Sequence, residues 1–99
     1  MTITTKKEGN SAVLTVNGRV DTNTSPQLQS EILRAFQAAT NVVLDFEGVP
    51  YISSAGLRAL LIGQKTAKSK RGTMELIHVS DMVMAVLDSV GFSSILTVK

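Results

Sequence analysis

The stretch "YISSAGLRALL", residues 51–61, sets two adjacent hydroxyls, Ser53 and Ser54, ahead of Ala55, Gly56 and Arg58 at what reads as the first turn of a helix. Serine is favoured at a helix start because its oxygen accepts a bond from an orphan backbone N–H. One serine meets that need, and a first turn built only for stability favours acids beside the positive end of the helix dipole. This turn has none. Its one charge is Arg58, a cation where cations are disfavoured. The unpaired amides expected at such an end, those of Ala55, Gly56 and Leu57, favour an anion, phosphate included, and Gly56 has no Cβ to hold a bulky group away. Two chemistries therefore fit the corner: a cap alone, or a hydroxyl offered for modification.

The other reactive side chains are few. There is no cysteine, hence no disulfide and no thiolate metal site. His78 is the one histidine; with no adjacent acid in its strand it reads as a packed strand residue rather than a base or ligand. Asp45, late in an apolar run, should be hydrogen-bonded and hold the loop that follows, because an unpaired buried charge is costly. Asp21 precedes a helix and fits equally a turn residue or a neighbour of the serine corner. The nucleophile elbow Gly-x-Ser-x-Gly, the P-loop, the dinucleotide fingerprint and any metal-ligand spacing are all missing, so neither catalytic residue, cofactor nor metal is expected.

The elements that must position the serines alternate along the chain. "MTITTKK" and "SAVLTVNG", separated by the turn signal "EGN", predict a hairpin. Thr24 with Gln27 matches a capping box, and Ser25 before Pro26 is an equally good helix start. Leu28, Ile32, Ala35, Phe36 and Ala39 then fall on one helical face. "NVVLDF" reads as a central strand buried on both sides. A second helix runs from Ser53 or Ser54 to about Lys70, with Gly72 in the C-terminal cap position. Its Leu57, Leu60 and Leu61 face the core, while Ala59, Ile62 and Gly63 widen the apolar surface towards a partner. "TMELIHV" predicts a strand. A third helix carries Val83, Val86, Leu87 and Val90 as its core stripe, with Met82 and Met84 filling gaps beside it, Ser80 or Asp81 as cap and Gly91 as stop. "SILTV" closes the sheet. The order β-β-α-β-α-β-α-β predicts one α/β domain over residues 1–99, with a mixed four- or five-stranded sheet, three main helices and right-handed crossovers.

An apolar fraction of 43% with 18% charge fits a globular chain, and the net charge of +2 is slight. Its distribution is uneven. No acid lies between Glu47 and Glu75, where Arg58, Lys65, Lys68, Lys70 and Arg71 all fall. Cations at the end of the second helix complement its dipole, and the absence of aromatics there to stack bases argues against nucleic acid. The N-terminus lacks a secretion-type apolar segment, and no apolar run approaches the ~20 residues that span a bilayer. A cytoplasmic protein away from membranes is expected.

The segment "VVLDFEGVPYISSAGLRALL" resembles the signature of STAS domains, specifically free-standing anti-sigma factor antagonists: an apolar-Asp-apolar strand end, a short turn, then Ser-Ser-Ala-Gly-Leu opening a helix. Gly18 and Asp21 in "LTVNGRVDTNTSPQLQSEI" resemble the family's Gly-x-x-Asp stretch. The resemblance implies a regulator without catalysis of its own. Its unphosphorylated form would bind an anti-sigma factor that is also a GHKL-type serine kinase and release that partner's client. Phosphorylation would end binding, and a PP2C-type phosphatase would restore it. Mapped residue by residue, the acceptor falls on Ser54, with Ser53 the alternative, since Ser53 stands where many members carry Asp and Ala55 where many carry a second Ser. The partner surface would include Asp21, Thr22, Ser53, Ser54, Ala55, Gly56 and Arg58. Two rival readings use the same corner: a module holding a nucleotide or anion without covalent change, and a constitutive STAS subunit of a transport complex.

Overall fold

Strict alternation in "SAVLTVN" puts Ala12, Leu14 and Val16 on one face of a strand, and all three are buried. The same face is continued by Val42, Leu44 and Phe46 and by Met74 and Leu76. In a computed structural model describing Met1–Lys99, these runs become neighbouring strands: β1 (Thr2–Glu8), β2 (Ser11–Asn17), β3 (Asn41–Gly48), β4 (Thr73–Ile77) and a short β5 (Thr97–Val98). They form one five-stranded sheet in the order β1-β2-β3-β4-β5. Only the β1–β2 hairpin is antiparallel; the other pairs are parallel. Helices α1 (Ser25–Ala38), α2 (Ser54–Ser69) and α3 (Asp81–Ser89) supply the crossovers, and a 3-10 turn, Phe92–Ser94, leads into β5.

The helices press Leu28, Ile32, Phe36, Leu57, Leu60, Val83 and Leu87 onto this one sheet face to form a continuous core. Crossovers of one hand that step along a sheet in order keep their helices on one side. The other face is left open, which corrects the expectation for β3. Val43 and Asp45 point away from the helices and are only half-buried, so β3 is sealed on one side rather than both.

Further local expectations change for identifiable reasons. Thr24 forms no side-chain cap on α1; its hydroxyl is occupied by the Asp21 N–H at 2.9 Å and the Arg19 carbonyl at 2.8 Å. At the end of α2 the left-handed residue is Arg71, at φ 57°, not Gly72. The Gly72 N–H bonds the Ala67 carbonyl at 2.8 Å and the Arg71 N–H bonds the Lys68 carbonyl at 3.1 Å, the paired bonds of a Schellman motif. Gly72 is needed for space, because a Cβ there would land on the Thr40 carbonyl oxygen. Ala59 and Gly63 are buried core residues rather than an outward extension, while Leu61 and Ile62 are half-buried. Val90 is 50% exposed and Met82 63% exposed, so neither joins the core with the rest of α3. β4 stops at Ile77, since His78 takes the left-handed conformation at φ 57° and is exposed. No helix is long and apolar enough to cross a membrane.

Candidate functional site

The strand β3 ends in a turn whose chain is tied back to the loop after β2. The Val20 N–H bonds the Tyr51 carbonyl at 2.9 Å and the Ser53 N–H bonds the Val20 carbonyl at 2.8 Å, a single parallel bridge between Val20 and Ile52. Both bridge residues are sealed, at 0% and 2% exposure. On the outside, the Arg19 guanidinium lies 4.4 Å from the centre of the Tyr51 ring and clasps the same two loops. The Asp21 loop and the serine corner, about thirty positions apart in sequence, are thereby brought side by side.

The two serines divide the work. Ser53 is the N-cap of α2, in extended conformation at φ −96° and ψ 175°, and its Oγ accepts the Gly56 N–H at 3.3 Å. Ser54 is the first helical residue, exposed, and its hydroxyl takes no part in the cap. Gly56 is required by the bridge beneath it: a Cβ there would sit 2.6 Å from both Ile52 Cγ1 and Val20 Cγ1. Of the three amides expected to be free, that of Gly56 serves the cap and that of Leu57 bonds the Ser53 carbonyl at 2.9 Å. Only the half-buried Ala55 keeps an unengaged N–H, next to the Ser54 hydroxyl. Arg58 is exposed one turn further on.

Asp21 organises its own loop. Its Oδ1 accepts the N–H groups of Asn23 and Thr24 at 3.0 and 3.1 Å. The Thr24 N–H, foremost among these donors, holds the Asp21 carboxyl below its usual range. Asp21 is half-buried and Thr22 beside it is exposed. Asp45 likewise fixes a turn, accepting the Glu47 N–H at 3.0 Å, but it also meets His78 Nδ1 at 3.0 Å. Desolvation alone would raise the Asp45 carboxyl; the Glu47 amide and His78 outweigh it and bring it down, while the Asp45 bond raises His78. His78 is therefore an exposed ion-pair partner, not a packed strand residue. Ligand atoms of Asp45, Glu47 and His78 lie within 4.8 Å of one another, a grouping created by β3–β4 pairing and not visible as a spacing.

The apolar part of the site is not visible as a sequence pattern, because it joins α2 to the segment after α3. Ser54 and Arg58 form one rim of a cleft of ≈330 Å³ whose floor and far wall are Leu57, Leu61, Val90 and Phe92. Val90 continues the α3 stripe, and on that pattern a core position is expected for it. The helix ends at Ser89 and turns at Gly91, at φ 77°, so the side chain faces α2 from outside. On the opposite flank Arg58 and Ala55 border a second cleft with Pro26, Gln29 and Leu33 of α1. Arg58 borders both shallow grooves, and the exposed Ser54 stands on the rim of the first, beside Ala55 on the rim of the second.

The chain matches the STAS domain family over residues 2–99. BtrV of Bordetella bronchiseptica, a protein named as an anti-sigma factor antagonist, is 31% identical over 99 residues, covering 99% of this chain and 85% of that protein. The anti-sigma factor antagonist SpoIIAA in its unphosphorylated form superposes with a TM-score of 0.83 at 21% identity, over 99% of this chain and 88% of its own. The phosphorylated form of the Bacillus protein gives 0.76 at 20% identity, over 99% and 91%. A STAS domain protein from Planctomyces limnophilus gives 0.85 at 25% identity, over 98% and 87%. Matched from Thr2 to Lys99 and sharing close to a third of its residues with BtrV, the chain belongs to the STAS domain family, among its anti-sigma factor antagonists.

Proposed function

We propose that this chain is the phosphorylatable element of a cytoplasmic partner switch, a binding module with no catalysis of its own. Unmodified, the surface around Ser54, with Asp21, Thr22, Ser53, Ala55 and Arg58 about it and the buried Gly56 supporting it from beneath rather than touching the partner, binds an anti-sigma factor that is also a GHKL-type serine kinase. Phosphorylation of Ser54 ends that binding and a PP2C-type phosphatase reverses it. One observation carries the choice of Ser54 over Ser53: Ser54 is exposed and uncommitted, whereas Ser53 is half-buried and spends its oxygen on the Gly56 amide.

The physics of the switch follows from the position. A phosphate adds about −1.5 to −2 charges at pH 7. At a helix N-terminus, with Arg58 one turn away, that charge meets favourable partners, so the fold survives modification. The partner does not gain in the same way. A doubly charged group rising from the rim of the apolar cleft of Leu57, Leu61, Val90 and Phe92 must be desolvated or left as a gap. A loss of about 3 kcal/mol, roughly two decades of affinity, resets a competition between partners.

The test incubates the protein with ATP and a candidate GHKL-type kinase, locates the added phosphate by mass spectrometry, and measures kinase binding for Ser54→Ala and Ser54→Asp. Modification at Ser54, binding kept by the alanine form and lost by the aspartate form, supports the proposal. Tight nucleotide binding with no mass change would point to the ligand module, and binding indifferent to both substitutions to a constitutive subunit.

A further inference from the structure

The far end of α2 carries a second feature unrelated to the serine corner. Lys65, Lys68, Lys70 and Arg71 are all exposed there, within seven residues. None pairs with a carboxylate; the ion pairs of the molecule are Lys6–Glu8, Arg34–Glu31, His78–Asp45 and Lys99–Glu75. A helix C-terminus accounts for only part of this charge, since the macrodipole places about half an elementary negative charge there. The Schellman bonds from Arg71 and Gly72 already satisfy the Lys68 and Ala67 carbonyls. α1 ends with no basic residue in its last turn, so this fold does not need cations to finish a helix. Roughly three surplus charges repel one another across a short, fixed segment. Arg71 is held in the left-handed conformation and Gly72 is wedged against Thr40, so the cluster cannot spread by unwinding.

We infer that this basic end of α2 is a second docking surface, for an acidic protein segment, that works irrespective of the state of Ser54. A protein segment suits the patch better than the other polyanions. No aromatic side chain is exposed there to stack a base, and no large apolar side chain is exposed there to enter a bilayer. Lys70 instead borders a shallow polar-rimmed cleft of ≈370 Å³ with Asn10, Gln37 and Thr40, floored by Phe36 and Ala39, able to seat a side chain of an extended chain. The sixteen residues of α2 separate the two ends by about 22 Å, so an extended peptide held at the basic end contacts residues distinct from those around Ser54.

Fluorescence anisotropy with a labelled Glu/Asp-rich peptide, a duplex DNA and phosphatidylserine vesicles as probes decides the point. The peptide should bind the full chain, weaken as salt rises, and bind equally well to Ser54→Asp. The combined variant Lys65→Gln, Lys68→Gln, Lys70→Gln and Arg71→Gln should lose at least about tenfold in affinity at unchanged secondary structure. Milder Lys65→Gln/Lys68→Gln should lose an intermediate amount if the full set fails to fold. No peptide binding, retention of affinity by the variants, or tighter binding of DNA or vesicles than of peptide would overturn the inference.

Discussion

Gly56→Ala tests whether the serine corner is held by packing beneath it. The new methyl would stand 2.6 Å from Ile52 Cγ1 and 2.6 Å from Val20 Cγ1, both about 1 Å inside ordinary contact. Neither neighbour can retreat, because each is sealed in the core and their backbones are bonded in the Val20–Ile52 bridge. Overpacking of this kind costs about 1–3 kcal/mol. Replacing a helical glycine returns about 0.5–1 kcal/mol. Because neither neighbour can give way, the upper part of that cost, about 2–3 kcal/mol, applies; the net loss is therefore about 1–2.5 kcal/mol, and for a chain of this length the Tm should fall by about 5–20 °C. Thermal and urea unfolding followed by circular dichroism measure it. A second substitution makes the test specific. Val20→Ala alone destabilises by opening a cavity, yet in the Gly56→Ala background it gives the methyl room, so the double variant should be at least about 1 kcal/mol more stable than the sum predicts. A Gly56→Ala protein as stable as the parent, or strictly additive effects, would refute the packing account.

Three further outcomes are expected. Ser53→Ala removes the oxygen that caps the Gly56 amide and should cost about 1 kcal/mol in urea unfolding while leaving Ser54 modifiable by a kinase. Arg71→Gly relieves a left-handed non-glycine residue and should raise stability by about 0.5–1 kcal/mol. The Asp45–His78 pair makes stability depend on pH at both ends. His78 is raised in the fold, so its contribution is full below its unfolded value near 6.5 and fades as pH climbs through the folded value above it; Asp45 is lowered, so its contribution fades as pH falls through its folded value below 3.8. Urea midpoints between pH 6 and 8.5 should decline in the parent and stay flat in His78→Asn.

The element order, the hairpin, three helices and the serine corner were all legible because they depend on local patterns. Alternation in "SAVLTVN", the i, i+4 stripe from Leu28 to Phe36 and a run of capping residues each act within a few positions of chain. The family signature is local too, and Ser53 and Ser54 lie inside it. What stayed hidden depends on residues distant in sequence. One open sheet face cannot be read from β3, whose Val43 and Asp45 look as buried as their neighbours until the helices choose a side. His78 finds its acid on β3, across 33 positions. Val90 changes from core to groove wall only because Gly91 turns the chain before the stripe reaches the sheet. Sequence by itself determined which segments form strands and helices and that a pair of serines stands where the second helix begins. Tertiary structure alone decided that the Asp21 loop lies beside this corner and that Ser54 borders an apolar cleft shared with Val90 and Phe92, because such neighbours are set by where distant elements come to lie.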